Sequence, residues 1–334
     1  MHIKYTFAAL SMLTFYSGVA FSEPVELRMA TGSGGPGSSV GNSLDQWAAL
    51  IEEKTAGTPD EIKVDVFYQD ELGDQKELFD LLVVGEVDMM INWPMTSYDE
   101  RMGIRNVPYM IFDWEQAFNA YKSGGWLNEI YSEVHADLGL KYFGAYPEGF
   151  SGVATRDKYA TTVEEAKGIT VRVPSNFPNP LTIEAMGYTP VALAWGEVYT
   201  SLQTGVVDGD SGNVIYWDYE YFRDVLDYYV RTRHTFVSGM LSMNQNSWDS
   251  LNEFQKNAVA DAAAEISSKQ FENARAFDQT YVEKAIESGM EYIELTDEEL
   301  LSLARKTRGE VWPEIEDAFG KELVDKIREN APSL

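Results

Sequence analysis

The chain contains no cysteine. That excludes disulfides, thiolate metal centres, a thiol nucleophile and a lipid-modified N-terminal cysteine. Histidine is nearly as scarce. Of three, His2 lies at the extreme N-terminus, which leaves only His135 and His234. Metal ligation would therefore fall to oxygen atoms, as for calcium or sodium, and the acidic pairs read as helix surfaces, so no metal site is assigned. Positive charge is also short: 26 Lys and Arg face 54 Asp and Glu, a formal net charge of −28. Nucleic acid and anionic membrane surfaces are poor partners for such a field. The acids are spread evenly, as on a solvated surface, rather than gathered in a tail. An anionic ligand would need locally placed arginines or helix N-termini to overcome them. Finally, no apolar run reaches the roughly 20 residues that a membrane-spanning helix requires.

What is present begins with an export signal. His2 and Lys4 form a short basic start, an apolar run follows from Tyr5, and Ala20-Phe21-Ser22 fits a small-x-small cleavage site. Residues 1–22 are expected to be a signal peptide cleaved near Ser22, giving a soluble periplasmic protein. The 334 residues suffice for two domains with ample core.

One motif occurs twice. Glu77-Leu-Phe-Asp-Leu-Leu-Val-Val-Gly85-Glu-Val-Asp88 is echoed by Glu197-Val-Tyr-Thr-Ser-Leu-Gln-Thr-Gly205-Val-Val-Asp208. Glu in the first helical turn, Gly as the stop and Asp three residues beyond predict helix, glycine cap and short strand. Two such units in one exported chain imply two lobes with a cleft between them.

Alternation marks strands at Val25 to Ala30 and Ile62 to Tyr68, with helices from about Ser43 to Thr55 and Asp74 to Val84 and a strand from Val87 to Ile91. This order predicts a parallel sheet flanked by helices. Further strands are expected at Leu140 to Ala145, Gly152 to Thr155, Ile169 to Val173, Thr189 to Leu193 and Val206 to Gly209. Trp248 to about Ser288 carries no glycine or proline and reads as one long helix able to span both lobes. Thr296-Asp-Glu-Glu is a capping signal for a later one.

Two glycine patterns invite other readings. Gly32-Ser-Gly34-Gly-Pro-Gly37 matches a dinucleotide fingerprint, but no acidic residue closes a second strand about 20 residues on. Gly37-Ser38-Ser39-Val40-Gly41 matches a nucleophile elbow and makes an exported serine hydrolase the remote alternative. Neither histidine lies in a motif that announces a base. The simpler use is a loop whose small residues admit a ligand close to the backbone, with Ser39 as a polar contact.

The leading site residue is Arg172. In Ile169-Thr-Val-Arg-Val-Pro174 the apolar residues share one face, so Arg172 takes the other, and Pro174 ends the ladder beyond it. Ligands of open α/β sheets bind outside strand carboxyl ends, and a guanidinium is a permanent fork for a carboxylate. The bland reading is an arginine paired with a structural aspartate. Trp93, Trp195, Tyr216 and Trp217 stand beside the repeated units, and Asn92 closes the first. Aromatics are more often core than site, but these positions would face a common cleft.

Gly168-Ile-Thr-Val-Arg172-Val-Pro174 and Ala194-Trp195-Gly196-Glu197-Val198-Tyr199 through Asp208-Gly209, with Leu72-Gly73, Val107-Pro108-Tyr109-Met110-Ile111-Phe112 and Glu148-Gly149-Phe150, resemble the solute-binding proteins of tripartite ATP-independent periplasmic (TRAP) transporters. The likeness covers most of the mature chain. It implies an α/β, two-lobed periplasmic-binding-protein-like fold with a ligand cleft between lobes and a long helix spanning both. Lobe I is expected at 23–148 and about 238–278, lobe II at 149–237 and about 279–334. The resemblance also implies a receptor, not an enzyme, that needs no cofactor. It would capture a small organic acid, a carboxylate or sulfonate, by hinge closure and deliver it to a TRAP permease, acting as a monomer. The family's clamping arginine falls on Arg172, its aromatic wall on Trp195, and its polar asparagine on Asn213, one position later than usual. Trp217, Asn92 and Ser39 are further ligand-binding candidates. Ser151 and Gly152 stand where some members carry a second arginine, a departure from the sialic-acid pattern. A zwitterionic osmolyte of ectoine or betaine type is the alternative ligand, held through aromatic faces.

Overall fold

The computed structural model describes residues 23–69 and 71–334; the expected signal peptide lies outside them. Among the described residues the strands are β1 (Val25–Thr31), β2 (Ile62–Phe67), β3 (Met89–Asn92), β4 (Leu140–Phe150), β5 (Val153–Thr155) and β6 (Thr170–Val173). They continue with β7 (Thr189–Ala192), β8 (Gly209–Ser211), β9 (Tyr228–Arg231), β10 (Phe236–Asn244) and β11 (Glu291–Glu294). They form two sheets, ordered β2-β1-β3-β10-β4 and β11-β9-β5-β8-β6-β7. Each sheet is the floor of one lobe. No helix among the described residues is long and apolar enough to cross a membrane.

The repeated motif does the same work in both lobes. Glu77 and Glu197 each accept a hydrogen bond from the backbone N–H three residues earlier, at 2.9 and 3.1 Å. Gly85 and Gly205 close their helices in the left-handed region, at φ 81 and 76. Asp88 accepts from Arg28 N at 2.7 Å and Asp208 from Thr170 N at 2.9 Å. Each aspartate therefore braces the strand beside it, and each helix returns the chain to its own sheet.

The sheets are mixed rather than parallel. β1, β2 and β3 are parallel, but β10 runs antiparallel to both β3 and β4. The reason is connectivity: β10 returns from the second lobe and enters the first sheet from the opposite end. Where β4 leaves and β10 arrives, Ser151 and Thr235 pin the crossing. Ser151 N donates to Thr235 O and Thr235 N to Ser151 Oγ, both at 3.0 Å. Ser151 is thus a buried pin at the crossing.

The third crossing is the helix Glu253–Glu287, on the order of 50 Å long. It starts later than Trp248 because Asn252 caps it, accepting from Gln255 N while Gln255 accepts from Asn252 N. Ala262 and Ile266 pack in the first half against Leu44 and Trp47, and Tyr281 and Ala285 in the second half share that cluster with Tyr229. The expected lobe II segment 279–334 divides: Trp312, Ile315, Phe319, Val324 and Ile327 instead join the first-lobe cluster around Leu127 and Ile130. The amphipathic C-terminal helix, Lys321–Asn330, buries Val324 and Ile327 there.

A candidate ligand cavity between the lobes

A cavity of about 120 Å³ lies where the carboxyl ends of β3 and β6 face each other. Ser33, Gln75, Trp93 and Arg105 reach it from the first lobe. Arg172, Pro174, Asn176, Trp195, Gly212, Asn213 and Trp217 reach it from the second, with Glu148 and Val237 from the crossing strands. Asn176 closes one side, its Nδ2 donating to Pro94 O at 3.0 Å while its Oδ1 accepts from Thr96 at 3.4 Å. The lobes are therefore drawn together around the cavity.

Arg172 sits on β6 with Val171 and Val173 buried on the opposite face. It lines the cavity and is also paired, so both readings of the sequence hold in part. Nε donates to Leu193 O at 3.1 Å and Nη1 to Asp210 Oδ1 at 3.3 Å. Asp210 is fully buried and its Oδ2 accepts from Asn213 Nδ2. Asn213 Nδ2 also reaches Asp218 Oδ1 at 3.1 Å. The other oxygen of Asp218 is buried without a donor. Burial, with Asp210 beside it, pushes the Asp218 carboxyl well above the usual carboxylate range. The Arg172 charge opposes the rise of both acids.

Arg105 has no such partner. It ends the 3-10 turn Glu100–Asn106, whose start is capped by Asp99 accepting from Arg101 N at 2.9 Å. Its backbone N–H donates to Tyr131 Oη at 2.9 Å. Its Nε is buried with no acceptor, and among the described residues it forms no ion pair. Burial lowers its pKa, yet an arginine does not deprotonate in a protein. The cavity thus holds one positive charge with no carboxylate in direct contact.

The walls are aromatic. The Arg172 guanidinium carbon stands 5.7 Å from the Trp195 ring centroid, and Trp195 meets Trp217 edge-on at 5.9 Å. The Glu148 carboxylate accepts the Trp217 indole N–H at 2.9 Å and the Trp93 indole N–H at 3.1 Å. Burial raises the Glu148 pKa, and the two indole bonds and the Arg105 charge oppose that shift.

Of the residues expected from sequence, Arg172, Trp195, Asn213 and Trp217 converge on this cavity. Asn92 and Ser39 do not line it. Asn92 is buried at the end of β3, its amide directed at Trp93 O at 3.4 Å. Ser39 is the first residue of the helix Ser39–Thr55, which Ser38 caps by accepting from Gly41 N at 3.0 Å. That cap starts the helix four residues before the expected Ser43 and carries Ser39 to an outer groove beside Asn42 and Lys269. Ser33 of the same glycine-rich loop takes the place at the cavity, accepting from Gln75 Nε2 at 2.6 Å. Sequence reasoning missed Arg105, Glu148 and Gln75 as site residues. A lone arginine in an irregular segment gave no periodic signal. His135 and His234 bind Tyr131 O and Thr232 Oγ1, both at 2.7 Å, and neither lines the cavity.

Comparison with known proteins agrees with this architecture. Residues 31–317 match the model of the bacterial extracellular solute-binding protein, family 7 (DctP). The sialic acid-binding periplasmic protein SiaP of Vibrio cholerae is 22% identical over 95% of this chain and 97% of its own. The ectoine-binding periplasmic protein TeaA of Halomonas elongata is 26% identical over 66% of each chain. Among solved structures, a TRAP periplasmic solute-binding protein from Desulfovibrio salexigens with bound orotic acid superposes with a TM-score of 0.82. It shares 20% identity and covers 91% of this chain and 98% of its own. Two sheets joined by crossing strands and one long helix, a cavity at the facing strand ends and a family match over most of the length lead to one assignment: this chain belongs to the bacterial extracellular solute-binding proteins of family 7, the receptors of TRAP transporters.

Proposed function

We propose that the cavity takes a compact organic acid, a carboxylate or sulfonate, which the receptor carries in the periplasm to a TRAP membrane permease. The observation that carries this reading is Arg105. Its guanidinium is half-buried, its Nε has no acceptor and it makes no ion pair, its counter-charge being Glu148 in the same cavity, and it faces a cavity whose other arginine comes from the opposite lobe. An anion reaching both would offset that charge and hold the closed form, since its contacts exist only when the lobes meet. One chain completes the cavity, consistent with action as a monomer. Cleavage near Ser22 would leave β1, which begins at Val25, intact. The reading is of a receptor rather than an enzyme: Ser39 lies outside the cavity, and both described histidines are bound elsewhere.

A second reading, a zwitterionic osmolyte, draws support from Glu148. Its carboxylate lines the cavity among three tryptophans, a setting that suits a cationic group. TeaA of H. elongata and UehA of Ruegeria pomeroyi, both ectoine-binding by name, are 26% and 29% identical over the parts they match.

A thermal-shift screen of short carboxylates, sulfonates and osmolytes separates the two. A ligand at 100 times its Kd adds about 2.7 kcal/mol, which is on the order of 5 °C for a chain of this size. A short carboxylate or sulfonate is expected to give the largest shift. A zwitterion alone raising Tm would replace the acid reading.

A further inference from the structure

We propose that Glu148 is a positioning residue that latches the two lobes together. Its carboxylate is held on the first lobe by the Trp93 indole, and it receives the second lobe through the Trp217 indole. The inference rests on reading the cavity as the ligand site but not on which ligand fills it.

The backbone is shaped for this task. In the antiparallel pair of β4 and β10, Val237 faces Gly149 and Ser238 faces Pro147, so Glu148 is the extra residue of a β-bulge. A bulge turns a side chain out of the alternating pattern, and this one lies at the point where β4 leaves the first lobe. Gly149, at φ 134, follows it in a conformation that few other residues adopt. Each carboxylate oxygen then takes one indole N–H, Oε1 from Trp217 and Oε2 from Trp93.

The two bonds differ in what opening does to them. Trp93 follows β3, in the same sheet as β4, so its bond to Glu148 survives when the lobes part. Trp217 lies on the helix Ile215–Phe222 after β8 and packs on Trp195, so its bond crosses between lobes. An indole is a donor only. Trp217 must exchange Glu148 for water on opening, and its ring leaves the cavity wall with it. Completion of the aromatic wall is therefore tied to closure. Glutamine is a poor substitute: its single oxygen serves one indole, and its amide hydrogens would face the other.

The absence of cysteine allows a direct test on the full mature chain. Exposed Glu53 and Glu164, on helices beside the first and second sheets, are replaced by cysteine and spin-labelled for pulsed distance measurement. Without ligand, Glu148→Gln and Trp217→Phe are each expected to shift the open-to-closed ratio about tenfold toward open, as the loss of one charge-assisted hydrogen bond implies. The double variant should move little further, because both changes remove the same bond. In ¹⁵N-tryptophan spectra, Glu148→Gln should displace two indole N–H resonances, those of Trp93 and Trp217. Asn176→Ala, which cuts a second cross-lobe contact, should open the lobes and move the Trp217 resonance while leaving that of Trp93 in place. Unchanged distances and unmoved resonances in Glu148→Gln would overturn the latch. Should that variant not fold, Trp217→Phe alone decides it by the same distances. Failure to find an acid ligand would not touch these ligand-free readouts.

Discussion

Replacing Arg105 with methionine is expected to abolish most ligand affinity while leaving the melting temperature little changed. The side chain is half-buried, its Nε meets no acceptor, and its only carboxylate neighbour among the described residues, Glu148, makes no ion pair with it. Methionine fills much of the same volume, and the fold loses no ion pair, while the loss of attraction to Glu148 is offset by the removal of a half-buried charge. The ligand, in contrast, loses one of two cations. Truncating one partner of a buried charge pair costs about 2–5 kcal/mol, on the order of 30-fold or more in Kd. Calorimetric titration and a thermal melt of the same preparation check both halves. A fall in Tm with unchanged affinity would make Arg105 a structural residue.

Arg172→Ala is expected to lose binding to a similar degree but to destabilise the protein. Its removal leaves Asp210 buried with no cation, supported by Asn213, a backbone N–H and the neighbouring Asp218. Breaking a buried ion pair from one side costs about 3–5 kcal/mol, so the fold does not come through untouched. The deficit depends on pH. Burial already raises Asp210 above the usual carboxylate range, with Arg172 opposing that shift. Without the arginine its folded pKa rises further above the unfolded value. A raised acid destabilises the fold progressively as pH climbs past the unfolded pKa and is harmless below it. The Tm gap between Arg172→Ala and wild type should therefore widen as pH rises above the usual carboxylate range. Adding Asp210→Asn should narrow it at the higher pH, and a gap independent of pH would mean that Asp210 is already protonated beside Arg172.

These different stability effects show where the sequence was legible. The Glu–Gly–Asp repeat was readable because each residue has a local job: capping a helix start, stopping a helix, bracing the adjacent strand. Arg172 was readable because strand alternation and Pro174 together set its side and its place. Trp195 and Trp217 came from position beside those units. The rest depends on tertiary closure. Arg105 sits in a 3-10 turn with no period, and its significance is a missing partner, which no local pattern records. Glu148 was visible only as part of a motif, because its direction comes from a bulge between strands over 80 residues apart in sequence. Ser39 was misplaced by one helical turn when Ser38 took the cap. The sheet direction could not be read from either strand because β10 enters from the other lobe.

The central claim is that two guanidiniums from opposite lobes share one anion in a closed cavity. A crystal structure with the acid that gives the largest thermal shift tests it most directly. The account predicts a carboxylate or sulfonate group between Arg105 and Arg172, within hydrogen-bond distance of both, against the Trp195 ring. An anionic group seated away from both arginines, with Arg105 still unbonded, would contradict it.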